Sequence, residues 1–155
     1  MKKQILIVIA IVVACLFSMS CGKEGGSGAG NIVGTWVIVN EVNTMSDGSV
    51  ITFADKNDWS KDSRSGTSFP YLLTFSSDGV MSGKSRFDGE ASLPASYEIK
   101  RGSVYLAFEL FKIVSNNGKT LVLEQSDAML KIHNSGREYK GLPLYVKRVA
   151  TYNKQ

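Results

Sequence analysis

ASYEIKRGSVYLAFELFKIVSNNGKTLVLEQ, residues 95–125, is the stretch that decides the fold. ASYEIK (95–100) turns through Arg101-Gly102 into SVYLAFEL (103–110), and FKIVS (111–115) turns through Asn116-Asn117-Gly118 into KTLVLEQ (119–125). Short β-branched and aromatic runs separated by such turns read as antiparallel hairpins, because Asn-Gly and related pairs supply the positive φ that tight turns demand. The same grammar extends in both directions. Upstream, YLLTFS (71–76) turns through Ser77-Asp78-Gly79 into VMSGKSRF (80–87). Before it stand GTWVIVNEV (34–42), led in by Ile32-Val33, the short run SVITF (49–53) and a polar loop, ADKNDWSKDSRSGTSF (54–69). Downstream, AMLKIH (128–133) and LPLYVKRVA (142–150) read as the last strands. No window of helical length repeats its apolar residues at i, i+3, i+4 and i+7, so no helix is expected.

Eight to ten antiparallel strands, neighbours in sequence, would leave two exposed edges in an open sheet. Closure into an up-and-down barrel removes both. The expected fold is therefore all-β, with the last strand antiparallel to the first. Trp36, Ile38 and Val42 share one face of their strand, as Leu144, Val146 and Arg148 do of theirs, so alternation permits both sets to point inward. Closure then brings Arg148 to Trp36, where a guanidinium stacked on the indole would plug one end of the barrel.

Composition narrows the function. The chain has 155 residues, 43% hydrophobic and 21% charged, which excludes a disordered reading and fits one domain. Lys2 and Lys3 account for two of the four net positive charges, so the rest of the chain is close to neutral. A nucleic-acid partner, which needs a clustered basic face, is not expected. Two Cys and one His exclude a disulfide scaffold and His-rich metal sites.

The first 20 residues read as a signal peptide. Met1-Lys2-Lys3 is a positive start, and residues 5–19 (ILIVIAIVVACLFSM) form an apolar run shorter than a membrane span requires. Ser20-Cys21 follows, then GKEGGSGAG (22–30), a glycine-rich tether. A Cys between an apolar run and a flexible tether resembles a bacterial lipoprotein signal. That resemblance implies lipidation of Cys21, which becomes the mature N-terminus. Cys15 matches the residue pattern before a lipidated Cys more strictly, but cleavage there would leave an apolar LFSMS stub, so Cys21 is favoured. The domain plan is thus signal peptide 1–20, lipidated Cys and tether 21–30, and barrel 31–155.

Gly34-Thr35-Trp36 at the start of the first strand resembles the Gly-x-Trp signature of the lipocalin and fatty-acid-binding-protein (calycin) superfamily. The segments YLLTFSSDGVMSG (71–83), ASYEIKRGSVYLAF (95–108) and KIVSNNGKTLVLEQ (112–125) are similar to the small lipocalin-like lipoproteins of Bacteroidetes. The resemblance implies that the Arg covering that Trp is Arg148. It also implies a non-enzymatic, monomeric binding module, lipid-anchored to the outer membrane and facing either the periplasm or the surface. Such lipocalins carry a helix flanking the barrel, and none is legible here.

The candidate site residues follow from this frame. Ile38, Phe75, Tyr97, Phe108 and Leu123 would line a lumen for a small apolar molecule, and Trp59, alone in a polar loop, would either tuck under that loop or act as a lid. An eight-stranded barrel is only just wide enough for its own side chains or one small ligand. If it is filled, the loops 54–69 and 134–142 become the working surfaces of a protein-interaction or inhibitor module. Chemistry beyond binding is not expected. His133 is the only imidazole, it reads as a solvated turn residue, and no G-x-S-x-G elbow accompanies it. Asp55, Asn57, Asp58 and Asp62 break EF-hand spacing at Trp59, Ser60 and Gly66. No metal and no cofactor is expected.

Overall fold

A computed structural model describes residues 31–54, 69–84, 92 and 94–155. The signal peptide, Cys21, the tether and Trp59 lie outside the described residues. The described chain forms ten strands: β1 (Gly34–Met45), β2 (Val50–Phe53), β3 (Leu72–Phe75), β4 (Val80–Lys84), β5 (Ala95–Ser96), β6 (Glu98–Lys100), β7 (Ser103–Tyr105), β8 (Glu109–Asn116), β9 (Thr120–Gln125) and β10 (Tyr145–Lys154). One helix, α1 (Asp127–Tyr139), lies between β9 and β10.

The sheet runs β5-β4-β3-β1-β10-β9-β8-β7-β6, with β2 paired to β1. The two ends of that order, β5 and β6, are separated in the chain by Tyr97 alone, whose N–H donates to Gly79 O at 2.8 Å. The sheet therefore comes back on itself. The architecture is an all-β, antiparallel, nearly closed, lipocalin-like barrel, and the first and last strands are neighbours as closure requires. β1 is the hub. One edge pairs with β10 from Trp36↔Lys154 to Met45↔Tyr145. The other edge is shared, with Gly34–Val37 on β3 and Glu41–Thr44 on β2.

Because every pairing is antiparallel, the barrel has two distinct ends. The bottom holds the start of β1, the β3–β4 and β8–β9 turns and the end of β10, where Gln155 N–H donates to Thr35 O. The top holds the end of β1, the β7–β8 turn, α1 and the start of β10, where Ser46 N–H donates to Leu144 O. Between them lies the apolar core. Trp36, Leu73, Val104, Leu121, Leu123, Ala150 and Tyr152 are fully buried, and Phe75 and Phe69 nearly so. The Arg101-Gly102 hairpin has positive φ at both residues (49° and 74°), the pattern of a two-residue primed turn.

Four expectations are corrected. Residues 128–133 are helix, not strand, and most of the expected 134–142 loop belongs to the same helix. α1 is capped by Ser126, whose Oγ accepts from Met129 N–H at 3.2 Å, and ends at Tyr139 with Lys140 as its C-cap. Its barrel-facing stripe is Met129, Leu130, His133, Asn134 and Arg137, half-buried and largely polar, so an apolar template passes over it. Second, residues 103–110 are not one strand. The chain reverses at Leu106–Phe108, with Leu106 N–H donating to Phe108 O, in a turn that contains no Gly, Asn or Pro. Third, the β1 register shifts between Ile38 and Asn40. That bulge flips the parity beyond it, so Glu41, Asn43 and Met45 point inward where Val42 was expected. On β10, Val146 is exposed while Tyr145, Arg148, Ala150 and Tyr152 are buried.

The fourth correction concerns the plug. β10 runs four residues past Ala150, so Lys154 rather than Arg148 faces Trp36. Lys154 Nζ lies 5.3 Å from the centre of the Trp36 ring and donates to Val33 O at 2.8 Å. Arg148 pairs with Asn43, well along β1 toward the top. Trp36 is nevertheless fully buried, with Nε1 donating to Ile32 O at 2.7 Å.

The same packing explains the glycine of Gly-x-Trp. Gly34 has φ 137°, and a Cβ there would lie 2.5 Å from Lys154 Cε. Gly34→Ala should cost about 1–3 kcal/mol of stability, the usual range for a residue forced into such a backbone region. Combining it with Lys154→Ala should recover the steric part of that loss but not the dihedral part. Denaturant unfolding of the two single variants and the double variant measures the coupling.

Candidate functional site

Polar side chains gather at the top of the barrel, beneath α1. The β1 bulge turns Glu41 and Asn43 inward, alternation places Gln125 inside at the end of β9, and β10 contributes Arg148 and Tyr145. Glu41, Asn43, Gln125 and Arg148 are each at most 2% exposed. Arg148 is the centre. It donates from Nη2 to Glu41 Oε1 at 2.5 Å, from Nε to Asn43 Oδ1 at 3.1 Å and from Nη1 to Gln125 Oε1 at 3.4 Å. Its guanidinium carbon sits 4.4 Å from the centre of the Tyr145 ring and 5.8 Å from that of Phe69. Phe69 in turn stacks on Phe111 at 5.5 Å. One carboxylate, two amide oxygens and two aromatic faces thus enclose a single cation, the arrangement that a desolvated guanidinium needs.

His133 joins the cluster from α1. Its Nε2 lies 3.0 Å from the Gln125 side-chain nitrogen. The Gln125 amide is oriented by Arg148, which occupies its oxygen, so its N–H₂ faces the imidazole and donates to it. A neutral ring accepting at Nε2 carries its proton on Nδ1, and that nitrogen is buried with no partner among the described residues. Asn43 Nδ2 is in the same position. Burial, and then the charge of Arg148, hold the His133 pKa down at about 4. This is not the solvated turn residue that the sequence suggested. With Nε2 committed to an amide, the ring has no hydroxyl to activate along that edge. Among the described residues there is no group of three His, Cys, Asp or Glu side chains placed to hold a metal ion.

The residues expected to line a lumen separate into three groups. Ile38, Phe75 and Leu123 belong to the core, at 8%, 1% and 0% exposure, so no water-sized space reaches the last two. Tyr97 is half-buried, packed edge-to-face on Phe75 at 5.1 Å with its hydroxyl donating to Ser76 O. Phe108 does not face inward at all; it lies in the β7–β8 turn and is exposed. Trp36 and Arg148, expected as one pair, anchor opposite regions of the barrel.

The sequence reading did not assemble the polar cluster. One part of it was legible: Leu121, Leu123 and Gln125 alternate along β9, which places an amide on the apolar face. Glu41 and Asn43 were hidden by the bulge. Comparison with known proteins brings no match to a family model, a curated protein or a solved structure.

Two outcomes follow from this geometry. Arg148→Ala strands the Glu41 carboxylate in the interior and should cost about 3–5 kcal/mol, whereas Arg148→Met with Glu41→Leu removes both charges and should lose far less. Denaturant midpoints of the two proteins test this. The folded-state pKa of His133 lies below its ordinary value, so the unfolded chain binds a proton that the fold rejects. Its contribution is therefore fully present above about pH 6.5 and is lost as pH falls toward about 4. Thermal unfolding across that window should show this slope, and His133→Gln should flatten it.

Proposed function

We propose that this protein is a non-enzymatic lipoprotein of the bacterial cell envelope. In this reading Cys21 is lipidated and anchors the chain to the outer membrane, and a filled lipocalin-like barrel presents its top end to a protein partner. One observation carries the choice of a working surface. Among the described residues nine large hydrophobic side chains are exposed, and seven of them lie at the top: Val50, Ile51, Phe108, Ile132, Tyr139, Leu142 and Val146. Tyr139 is 91% exposed, and Val50 and Val146 each 59%. Scattered surface apolars need no explanation, but a concentration on one end marks an interaction site.

Position along the barrel favours a protein over the membrane as the occupant. Asn31, the first described residue, enters the barrel at its bottom. A nine-residue glycine-rich coil reaches roughly 15–18 Å on average, whereas β1, with its 12 residues, extends roughly 40 Å at the usual strand rise. In this reading the apolar rim lies at the end of the barrel opposite the one at which the tether joins it. Carriage of a small apolar molecule, the other reading, needs Ile38, Phe75 and Leu123 to be reachable, and their burial in the core speaks for the rim instead.

A photo-crosslinking amino acid placed at Tyr139, Ile132 or Val146 in growing cells should give one discrete protein adduct. The same probe at Val114, exposed on β8, should give none, and Cys21→Ala should lose both fatty-acid labelling and the adduct. Equal adducts at Val114, or none at the rim, would overturn the partner reading. A thermal midpoint raised by fatty acids or other apolar ligands would move it to carriage. Fatty-acid labelling that depends on Cys15 would relocate the anchor.

A further inference from the structure

α1 covers the polar cluster, yet it is held there almost without apolar burial. None of its 13 residues is buried. Its attachments are mainly polar and are spread along its length. At the N-terminal end, Ser126 Oγ donates to Glu109 O at 2.5 Å, and Lys112 Nζ forms an exposed 3.1 Å ion pair with Asp127. Along the body, His133 meets Gln125, and Asn134 exchanges two hydrogen bonds with the Tyr145 backbone at 2.8 and 2.7 Å. At the C-terminal end, Arg137 Nε donates to Pro143 O at 2.6 Å and its guanidinium lies 4.5 Å over Tyr145.

The barrel beneath is held differently. Leu121 and Leu123 on β9, and Ala150 and Tyr152 on β10, are completely buried. Segments with few buried apolar contacts open at a far lower free energy than the core they rest on. α1 also has defined points about which to move. Ser126 caps it and is pinned to β8, and Gly141 just beyond it takes φ 64°, a conformation that leaves the chain free to reverse there. Once detached, a helix of 13 residues is too short to hold its own hydrogen bonds in water, so its amides open together when it leaves the barrel. The surface beneath it is unusual for a barrel interior, carrying an ion pair, two amides and the unpartnered Asn43 Nδ2. That surface tolerates water in a way that the apolar core does not.

We propose that α1 is a lid that opens as one cooperative unit over the polar cluster of Glu41, Asn43, Gln125 and Arg148, while the barrel stays folded. Opening admits water and small polar solutes to the Arg148–Glu41 pair and supplies a partner for Asn43 Nδ2. The inference is independent of the proposed protein partner, because it concerns the face of α1 that looks into the barrel.

Amide hydrogen exchange of the full chain, in detergent at neutral pH, tests it directly. Peptides within 127–139 should exchange about a hundredfold faster than those within 121–125 and 148–152, and amides beyond the first turn of α1 should share one rate. Protection of α1 equal to that of β9 and β10 would overturn the proposal, as would a gradient of rates fraying inward from the helix ends. A second measurement reads the polar cluster itself. Gln125→Cys, beneath the lid, should react with a maleimide about tenfold or more faster than Ala150→Cys in the barrel core, each followed by peptide mass spectrometry. Equal rates at the two sites would mean that access requires barrel unfolding, and the lid would be rejected.

Discussion

The pairing of β1 with β10 is the constraint on which the rest of the molecule depends. It joins the two ends of the described chain along most of the length of both strands, from Trp36↔Lys154 to Met45↔Tyr145. It removes what would otherwise be two exposed edges of a curved sheet. It also builds both ends of the barrel, since Lys154 reaches over Trp36 at the bottom and Arg148 reaches Glu41 and Asn43 near the top. Contacts so distant in sequence carry a large loop-closure cost before they contribute anything, and they slow folding. β1 must therefore wait for the last strand before its hydrogen bonds on that edge can form. A chain made from its N-terminus cannot complete this barrel until Lys154 is free to pair with Trp36.

The two ends meet their polar groups by different physics. At the bottom, a Lys stem lies across an indole and its ammonium finds a backbone carbonyl near the surface, so the charge stays solvated. At the top, an Arg is taken fully out of water and must be matched by a carboxylate, two amides and aromatic faces. Such a cluster adds little net stability compared with an apolar core of the same volume, but loss of one member is expensive. It ties β1, β9 and β10 together through one side chain, and it leaves a polar seat against which a polar helix rests.

Much of this was legible in the sequence, and the parts that were not have identifiable causes. The hairpins at Ser77-Asp78-Gly79, Arg101-Gly102 and Asn116-Asn117-Gly118 were readable because glycine marks the positions where the backbone must take positive φ. Barrel closure followed from the edge argument. The β7–β8 reversal at Leu106-Ala107-Phe108 was not readable, because it is made by ordinary residues under tertiary constraint. Helix α1 carried true signals in Ser126 as cap, Asp127 in the first turn and Gly141 after the end, yet its inward stripe of His133, Asn134 and Arg137 does not look apolar. A bulge at Val39 shifted every inward residue beyond it by one, which concealed Glu41 and Asn43. Arg148 was given the role of Lys154 because β10 was ended four residues early, at Ala150 instead of Lys154.

The hydrogen bond from Gln155 N–H to Thr35 O carries a topological consequence. The final residues of the barrel lie beside its first, on the same end, so a short linker between them would span little distance. The chain can then be cut elsewhere without altering a single strand pairing, and the exposed β7–β8 turn at Leu106–Phe108 offers a site for new termini at the opposite end. A circularly permuted barrel of that kind would begin and end at its top instead of its bottom. Any segment fused to its new N-terminus would then project from the face that carries Phe108 and α1.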